Sequence, residues 1–170
     1  MNIILTGFMM SGKTSIGSEL AKMLEYRFID TDKMIEREER LAVKDIFEKY
    51  GEEYFRNKET EAAEKISELD KCVAATGGGM VLRECNMELL RKNGYIVNLK
   101  ITPEIIRERM DSGRSDRPLI KDADFSEIVE KFKKRERFYE VCDYTVVIEG
   151  EKSPRRYAEE IAEYLKREVI

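Results

Sequence analysis

The stretch LTGFMMSGKTSIG, from Leu5 to Gly17, joins the end of a short apolar run to two glycines, a lysine and hydroxyl residues. The apolar residues at 3–5 predict a short buried strand. Further on, apolar side chains recur at helical spacing, at Ile16, Leu20, Met23 and Leu24. The stretch therefore predicts a strand that turns tightly into a helix.

Four residues of this turn, Gly7, Gly12, Lys13 and Thr14, fit the pattern G-x-x-x-x-G-K-[ST]. In such a loop the backbone N–H groups and the helix N-terminus surround phosphate oxygens, and the glycines allow close approach. Lys13 is expected to contact the outer phosphates and the Thr14 hydroxyl to ligate Mg²⁺, while Ser15 could add a contact. The pattern thus predicts a loop that binds a nucleoside triphosphate.

An ordinary strand-to-helix turn could also use glycine for conformational freedom and carry a lysine by chance. The position of the motif between a strand and a helix favours the phosphate loop, because the binding mechanism requires that context. Met10 occupies an unconstrained position of the pattern and, as a bulky residue, is expected to take ordinary backbone angles.

Composition predicts one domain spanning residues 1–170, because the chain has 170 residues, 42% of them apolar. The net charge is −4, and basic residues alternate with acidic ones, as in EREER and KFKKRER, so no nucleic-acid surface is expected. Three cysteines without C-x-x-C spacing, Cys72, Cys85 and Cys142, indicate reduced thiols that act as small buried residues.

The residues and segments that the chain lacks argue against several kinds of catalytic site and several cellular locations. It contains no histidine, which excludes Ser-His-Asp and Cys-His nucleophiles and leaves general-base chemistry to carboxylates, lysine or tyrosine. The opening MNIILTGFMM has no basic leader and runs into the phosphate loop, and no apolar run reaches the length of a membrane span. We therefore expect a cytoplasmic protein that does not bind membranes.

Four later segments also predict strands, namely YRFID, CVAAT, YIVNL and YTVVI, and helical periodicity lies between them. Thr102 and Ser153 each precede a proline, which indicates a helix start. Alternating strands and helices predict an α/β fold of three layers, α/β/α, around a five-stranded parallel sheet. In such sheets ligands bind beyond the carboxyl ends of the strands.

Two motifs follow that rule. The DTD motif, with Asp30 and Asp32, ends the second strand; helix capping alone explains one carboxylate, but two beside a nucleotide site favour phosphoryl-transfer chemistry. Three glycines, Gly77, Gly78 and Gly79, follow the third strand and form either a plain turn or a surface where a ligand touches bare backbone.

Two further motifs carry arginines. In GEEYFRNKE, Arg56 and Glu59 stand three residues apart on a predicted helix, where a simple surface ion pair is the first interpretation. The polar loop SGRSDRPLI, within a segment of about residues 111–124, carries Arg114 and Arg117 and predicts either an exposed loop or a mobile lid over phosphates.

The motifs together are similar to those of the shikimate kinase family. Six stretches occur in the order and approximate spacing of that family: GFMMSGKTSIG, FIDTD, GEEYFRNKE, ATGGGMV, DRPLI and KRERFYE. The resemblance covers nearly the whole chain. It implies a monomeric, Mg²⁺-dependent P-loop kinase, related in fold to nucleoside monophosphate kinases, that phosphorylates the 3-hydroxyl of shikimate with ATP.

The resemblance also implies roles at the site of phosphoryl transfer. It assigns Lys13 and Thr14 to phosphate and metal, Asp30 to Mg²⁺, and Asp32 to orienting or deprotonating the substrate hydroxyl. Arg117 corresponds to the lid arginine that approaches the transferring phosphoryl group.

For the substrates, Arg56 and Arg135 correspond to arginines that bind the shikimate carboxylate, with Glu59 holding Arg56. The backbone of Gly77, Gly78 and Gly79 lines the same pocket. Adenine contacts fall to Arg109 and to Lys152, which stands where the family often carries an arginine.

Two rival classes share parts of this pattern. Another small-molecule kinase, acting on gluconate or a nucleoside monophosphate, would share the phosphate loop but should lack the combination of DTD, triple glycine and paired arginines. A nucleotide-binding switch would need only the loop and the metal, so the presence of Asp32, Arg56 and Arg135 speaks against it.

Overall fold

A parallel sheet lies at the centre of the structure, a computed structural model that describes residues 1–112, 124–150 and 152–170. Its five strands within these ranges are β1 (Asn2–Thr6), β2 (Arg27–Asp30), β3 (Cys72–Ala75), β4 (Gly94–Lys100) and β5 (Tyr144–Val147). The strand order is β2-β3-β1-β4-β5, and each neighbouring pair is parallel. The predicted five-stranded parallel sheet is confirmed.

Helices alternate with the strands. In the described part of the chain they are α1 (Lys13–Leu24), α2 (Thr31–Glu39), α3 (Val43–Tyr50), α4 (Glu52–Ser67), α5 (Glu84–Arg91), α6 (Pro103–Asp111), α7 (Phe125–Tyr139) and α8 (Pro154–Glu168), with a 3₁₀ turn at Met80–Leu82. The Thr102 and Ser153 side chains accept hydrogen bonds from Ile105 N and Arg156 N, both at 3.4 Å, which confirms the two predicted helix starts. None of the described helices is long and apolar enough to cross a bilayer.

The two faces of the sheet carry separate apolar cores, because successive side chains of a strand point to opposite faces. Ile4 belongs to the core shared with α2 to α7, whereas Ile3 and Leu5 belong to the core formed with α1 and α8. All three side chains are fully buried. The arrangement confirms a three-layer α/β/α architecture.

The parallel register brings the ends of three strands to one level. Asp30 at the end of β2 pairs with Ala75 of β3, and Ala75 pairs with Leu5 of β1. The phosphate loop, the DTD motif and the triple glycine therefore leave the sheet side by side at the carboxyl ends of the strands.

The cysteine expectation is confirmed only in part. All three cysteines are free, and Cys72 is buried in β3. Cys85, in contrast, is exposed in the first turn of α5, and Cys142 is partly exposed just before β5, so a buried apolar role is wrong for these two.

At the amino ends of the strands, the buried Asn2 side chain links three segments by hydrogen bonds. Its Nδ2 donates to Ile66 O at 3.0 Å and to Leu69 O at 2.9 Å, and its Oδ1 accepts from Cys72 N at 3.1 Å. These bonds provide partners for two backbone carbonyls at and just after the end of α4 and for the first N–H of β3. Asn2 thus fixes the α4–β3 connection to β1.

We predict that Asn2→Ala lowers the free energy of unfolding by about 2 to 4 kcal/mol, because it removes three hydrogen bonds and takes away the acceptor of the buried Cys72 N–H. Asn93→Ala is the matched control: Asn93 Nδ2 makes one partly buried bond to Leu69 O at 2.7 Å, so its loss should cost about 1 kcal/mol. Urea unfolding of both variants measures the difference. Equal costs would contradict the proposed role of Asn2.

Candidate active site

The loop between β1 and α1 has the backbone that the phosphate-loop motif requires. Gly7 and Gly12 have φ of 141° and 89°, angles that favour glycine. A Cβ on Gly7 would also lie only 2.7 Å from Leu99 O. The expectation of ordinary angles at Met10 is wrong, because its φ is 66°, in the left-handed region. The tight turn imposes this conformation on Met10, whose carbonyl accepts a hydrogen bond from Arg109 Nη1.

The N-terminus of α1 is suited to an anion. Gly12 provides the N-cap without a side-chain hydrogen bond, and the first turn contains no acidic residue. Thr14 and Ser15 in that turn are exposed. The N–H groups and the helix dipole therefore face solvent without a competing carboxylate on this helix.

Lys13 lies beneath the loop rather than in solvent, with 5% of its surface exposed. Its Nζ donates to Gly7 O at 2.8 Å, to Phe8 O at 2.9 Å and to Ser11 Oγ at 3.3 Å. The ammonium thus holds the loop closed and places a positive charge at its centre.

Thr14 and Asp30 meet at the edge of the sheet, where the Thr14 hydroxyl donates to Asp30 Oδ2 at 2.7 Å. Asp30 Oδ1 accepts from Lys33 N at 3.1 Å, so Asp30 also caps α2. Because the Thr14 proton is directed at Asp30, the lone pairs of the hydroxyl oxygen remain available, and Mg²⁺ prefers such oxygen ligands. Among the described residues no group of three or more acidic or cysteine side chains could hold a metal. A Mg²⁺ ion here would take its remaining ligands from phosphate and water.

The DTD motif and the triple glycine are joined directly. The buried Thr31 hydroxyl accepts a hydrogen bond from Gly77 N at 2.8 Å. A Cβ on Gly77 would lie 2.4 Å from Asp32 Oδ1 and 3.1 Å from Glu59 Oε1. Only glycine therefore allows both carboxylates to approach the loop this closely.

Arg56 lies between two carboxylates beside the same loop. Its Nη1 contacts Glu59 Oε2 at 2.6 Å, and its Nη2 contacts Glu52 Oε1 at 2.9 Å. The Arg56 side chain is 11% exposed and that of Glu59 only 1%. The pair is therefore not the surface ion pair that helical spacing alone suggested.

Glu59 is the most deeply buried carboxylate of the site. Burial raises its pKa, the Arg56 charge opposes this, and the Asp32 carboxylate raises the pKa further. Oxygen Oε1 has no hydrogen-bond partner among the described residues. This buried acceptor, next to Gly77, suits a hydroxyl group or a water molecule.

Helix α7 supplies a second arginine to the glycine loop. Arg135 Nη1 lies 3.5 Å from Gly78 O and 4.0 Å from the position of a Cβ on Gly78. Lys131, one turn earlier, is exposed, but partial desolvation and the charges of Arg135 and Arg56 lower its pKa. The structure thus brings Arg56 and Arg135 together at one loop, although they are far apart in sequence, and concentrates positive charge there.

Known proteins resemble this chain in sequence and in fold. A family model described as "Shikimate kinase" matches residues 9–166. A shikimate kinase from Caldanaerobacter subterraneus subsp. tengcongensis is 47% identical over 161 residues, which are 94% of this chain and 93% of the relative. The chain belongs to the shikimate kinase family.

Solved shikimate kinases agree with this assignment. The enzyme from Acinetobacter baumannii, in complex with shikimate, is 32% identical with a TM-score of 0.87, over 99% of this chain and 95% of that one. The enzyme from Aquifex aeolicus is 36% identical with a TM-score of 0.81, over 98% and 97% of the two chains. The predicted family and fold are thereby confirmed.

The two residues predicted to contact adenine, Arg109 and Lys152, both have partners within the protein. The Arg109 guanidinium lies over the phosphate loop, 3.6 Å from the position of a Cβ on Gly12. Lys152 Nζ pairs with Glu160 Oε2 at 3.1 Å. Their adenine contacts stay predictions. The lid segment, with Arg114 and Arg117, lies outside the described residues apart from its ends.

Sequence reasoning missed three residues that complete the site. Glu52 binds Arg56, Lys131 lies next to Arg135, and the Tyr139 hydroxyl donates to Gly78 O at 2.6 Å. Lys131, Arg135 and Tyr139 recur every four residues on α7. This spacing, which puts side chains on one helix face, was the available signal.

We predict that Gly79→Ala destabilises the protein by about 1 to 3 kcal/mol, because its Cβ would lie 1.8 Å from Arg56 Nη1 and force the guanidinium from its ion pairs. The Gly79 φ of −96° and ψ of −9° suit alanine, so the cost would arise from this collision alone. Gly78→Ala is the control, with a nearest contact of 3.7 Å and an expected change within about 0.5 kcal/mol. Thermal unfolding compares the two; similar stabilities would contradict the packing of Arg56 on Gly79.

Proposed function

We propose that this protein transfers the γ-phosphoryl group of ATP to the 3-hydroxyl of shikimate, giving 3-phosphoshikimate and ADP in aromatic amino-acid biosynthesis. The bond between the γ-phosphorus and its bridging oxygen to ADP breaks, and the shikimate oxygen forms the new bond. One observation carries the proposal: a phosphate loop, the DTD carboxylates and a glycine loop flanked by two arginines meet at one edge of the sheet.

ATP would bind with its phosphates at the N-terminus of α1. Gly7, Gly12 and Ser15 offer backbone and hydroxyl contacts, and Lys13 would exchange its loop carbonyls for phosphate oxygens. Thr14 and Asp30 would hold Mg²⁺, directly and through water respectively; bound there, the ion would neutralise charge on the phosphates.

The carboxylate of Asp32 would orient the attacking hydroxyl. It lies half-buried beside Gly77, at the junction of the phosphate loop and the glycine loop. In a loose phosphoryl-transfer transition state the hydroxyl proton leaves late, so Asp32 acts first by positioning and then as the proton acceptor. Glu59 Oε1 is an additional acceptor for a hydroxyl or water in the pocket.

Developing charge on the transferring group would be stabilised by Lys13 and by Arg117 of the lid. The Lys13 charge lies inside a loop that excludes solvent, where electrostatic stabilisation is stronger than in water. The assignment of Arg117 rests on the family resemblance, since that residue lies outside the described part of the structure.

The carboxylate of shikimate would bind between Arg56 and Arg135. Both guanidinium groups lie against consecutive glycines, Arg56 at Gly79 and Arg135 at Gly78. The free carboxylate would compete with the exposed Glu52, whose side chain is 64% exposed, for the Arg56 donors. A bidentate arginine contact is the expected source of specificity for an anionic substrate.

We also propose that the protein acts in the cytoplasm as a monomer with one domain over residues 1–170. The large apolar side chains exposed in the described residues belong to separate stretches, at Tyr50, Val141, Val147 and Ile170. Scattered residues of this kind need no partner to cover them.

The first test is a coupled assay of ADP release with shikimate, gluconate, AMP or no acceptor. We predict that shikimate alone stimulates ATP consumption, and that EDTA abolishes this stimulation until Mg²⁺ is restored in excess. Stimulation by gluconate or AMP would favour a different small-molecule kinase. ADP release without any acceptor dependence would contradict the proposal.

The second test concerns the arginine contact. We predict that Arg135→Lys raises the Kd for shikimate about tenfold or more, measured by calorimetry, because lysine cannot form the paired hydrogen bonds of a guanidinium. Arg137→Lys is the matched control, because Arg137 is exposed on α7 and stacks on Phe138 instead.

A shikimate analogue with the carboxylate reduced to an alcohol identifies the group that Arg135 binds. It should bind the native protein weakly and lose little more affinity in Arg135→Lys. If Arg135→Lys weakens binding of the analogue as much as it weakens binding of shikimate, Arg135 binds another group or supports the fold.

A further inference from the structure

The carbonyl oxygens of the glycine loop all have partners. Gly77 O accepts from Met80 N at 3.1 Å, Gly79 O from Leu82 N at 3.0 Å, and Gly78 O from the Tyr139 hydroxyl at 2.6 Å. The first two bonds are local and belong to the 3₁₀ turn that follows. The Gly78 carbonyl is instead held by side chains of the distant helix α7, because Arg135 Nη1 also donates to it, at 3.5 Å, and the Tyr139 bond is much the shorter of the two.

The N–H groups of the loop differ from its carbonyls. Gly77 N donates to Thr31 Oγ1. In contrast, no group in the described part of the chain accepts a hydrogen bond from Gly78 N or Gly79 N. Gly79 is buried, and Arg56 lies directly against it. An N–H in this position is a donor for a bound anion or hydroxyl.

The Gly78–Gly79 peptide needs an external support to keep one orientation. It is planar and trans, so its C=O and N–H point in opposite directions, and holding the oxygen fixes the direction of the N–H. With glycine on both sides, rotation of this peptide meets little steric resistance. A rotated peptide would present an oxygen, instead of an N–H, to an anionic substrate.

We propose that Tyr139 is a positioning residue for shikimate: its hydroxyl fixes the Gly78–Gly79 peptide so that Gly79 N–H faces the substrate. This inference rests on the proposed function. Tyr139 is well suited to the role because its ring is 4% exposed and packed in the core with Phe132 and Phe8. Burial raises the pKa of Tyr139 to about 12, so the phenol remains a protonated donor at neutral pH.

The test is Tyr139→Phe, which removes the hydroxyl and keeps the ring. We expect the KM for shikimate to rise roughly fivefold to tenfold, as one oriented hydrogen bond is lost. The KM for ATP and kcat should change less than about twofold, because the hydroxyl that is removed bonds Gly78 O, while the ring that packs with Phe8 of the phosphate loop is kept. A merely structural role would not produce this split.

Tyr95→Phe is the control variant. The Tyr95 hydroxyl pairs with that of Tyr164 at 3.1 Å, near the start of β4 and away from the glycine loop. Its loss removes a tyrosine hydrogen bond without touching the proposed site, so all kinetic constants should stay at native values. An unchanged KM for shikimate in Tyr139→Phe, or an equal rise in Tyr95→Phe, would overturn the inference.

A measurement without substrate separates the inference from the proposed function. In ¹⁵N-glycine spectra, the Gly79 amide signal should broaden or split in Tyr139→Phe and stay single in the native protein and in Tyr95→Phe. A single, unshifted signal in Tyr139→Phe would overturn the inference that the Tyr139 hydroxyl fixes the orientation of this peptide. Native protein without shikimate-dependent ADP release would instead overturn the proposed function.

Discussion

The parallel pairing of β2, β3 and β1 is the constraint on which the site depends. It sets Asp30, Ala75 and Leu5 at one level, so the segments that follow begin together. From this level the Thr14–Asp30 and Thr31–Gly77 hydrogen bonds can form across strands that are distant in sequence. A slip of the register would separate the nucleotide loop from the acidic motif and the glycine loop, even if each kept its own conformation.

The cations of the site are held in place by partners within the chain. Lys13 is held by the carbonyls of the phosphate loop and Arg56 by Glu52 and Glu59, so neither cation is buried without partners. Glu52 is exposed, whereas Glu59 is not. In the proposed function, a substrate carboxylate would displace the outer partner of Arg56 while the inner partner keeps the guanidinium in position.

Much of the fold and several site elements could be predicted from local patterns. The Gly7-to-Thr14 spacing, the apolar strand runs and the two hydroxyl–proline caps each depend on neighbours in sequence, and the structure contains all of them. Left-handed Met10 could not be predicted, because the loop as a whole imposes its backbone angle. The burial of the Arg56–Glu59 pair was also missed, since helical spacing shows that two side chains can pair but not whether the pair is shielded from solvent.

Helix α7 illustrates why sequence motifs identify only some of the residues in such a site. Its Lys131, Arg135 and Tyr139 lie one turn apart on one face; Arg135 and Tyr139 contact the glycine loop, and Lys131 lies near the charges of Arg135 and Arg56. Arg135 and Lys131 supply charge, and of the two only Arg135 was identified from its motif. Tyrosine supplies a neutral hydrogen bond to a backbone carbonyl, and this contact exists only once the helix has packed beside β3. Because Phe132 of the same helix is buried in the core with Phe8, packing of the core and alignment of these three polar groups are achieved by one rigid element.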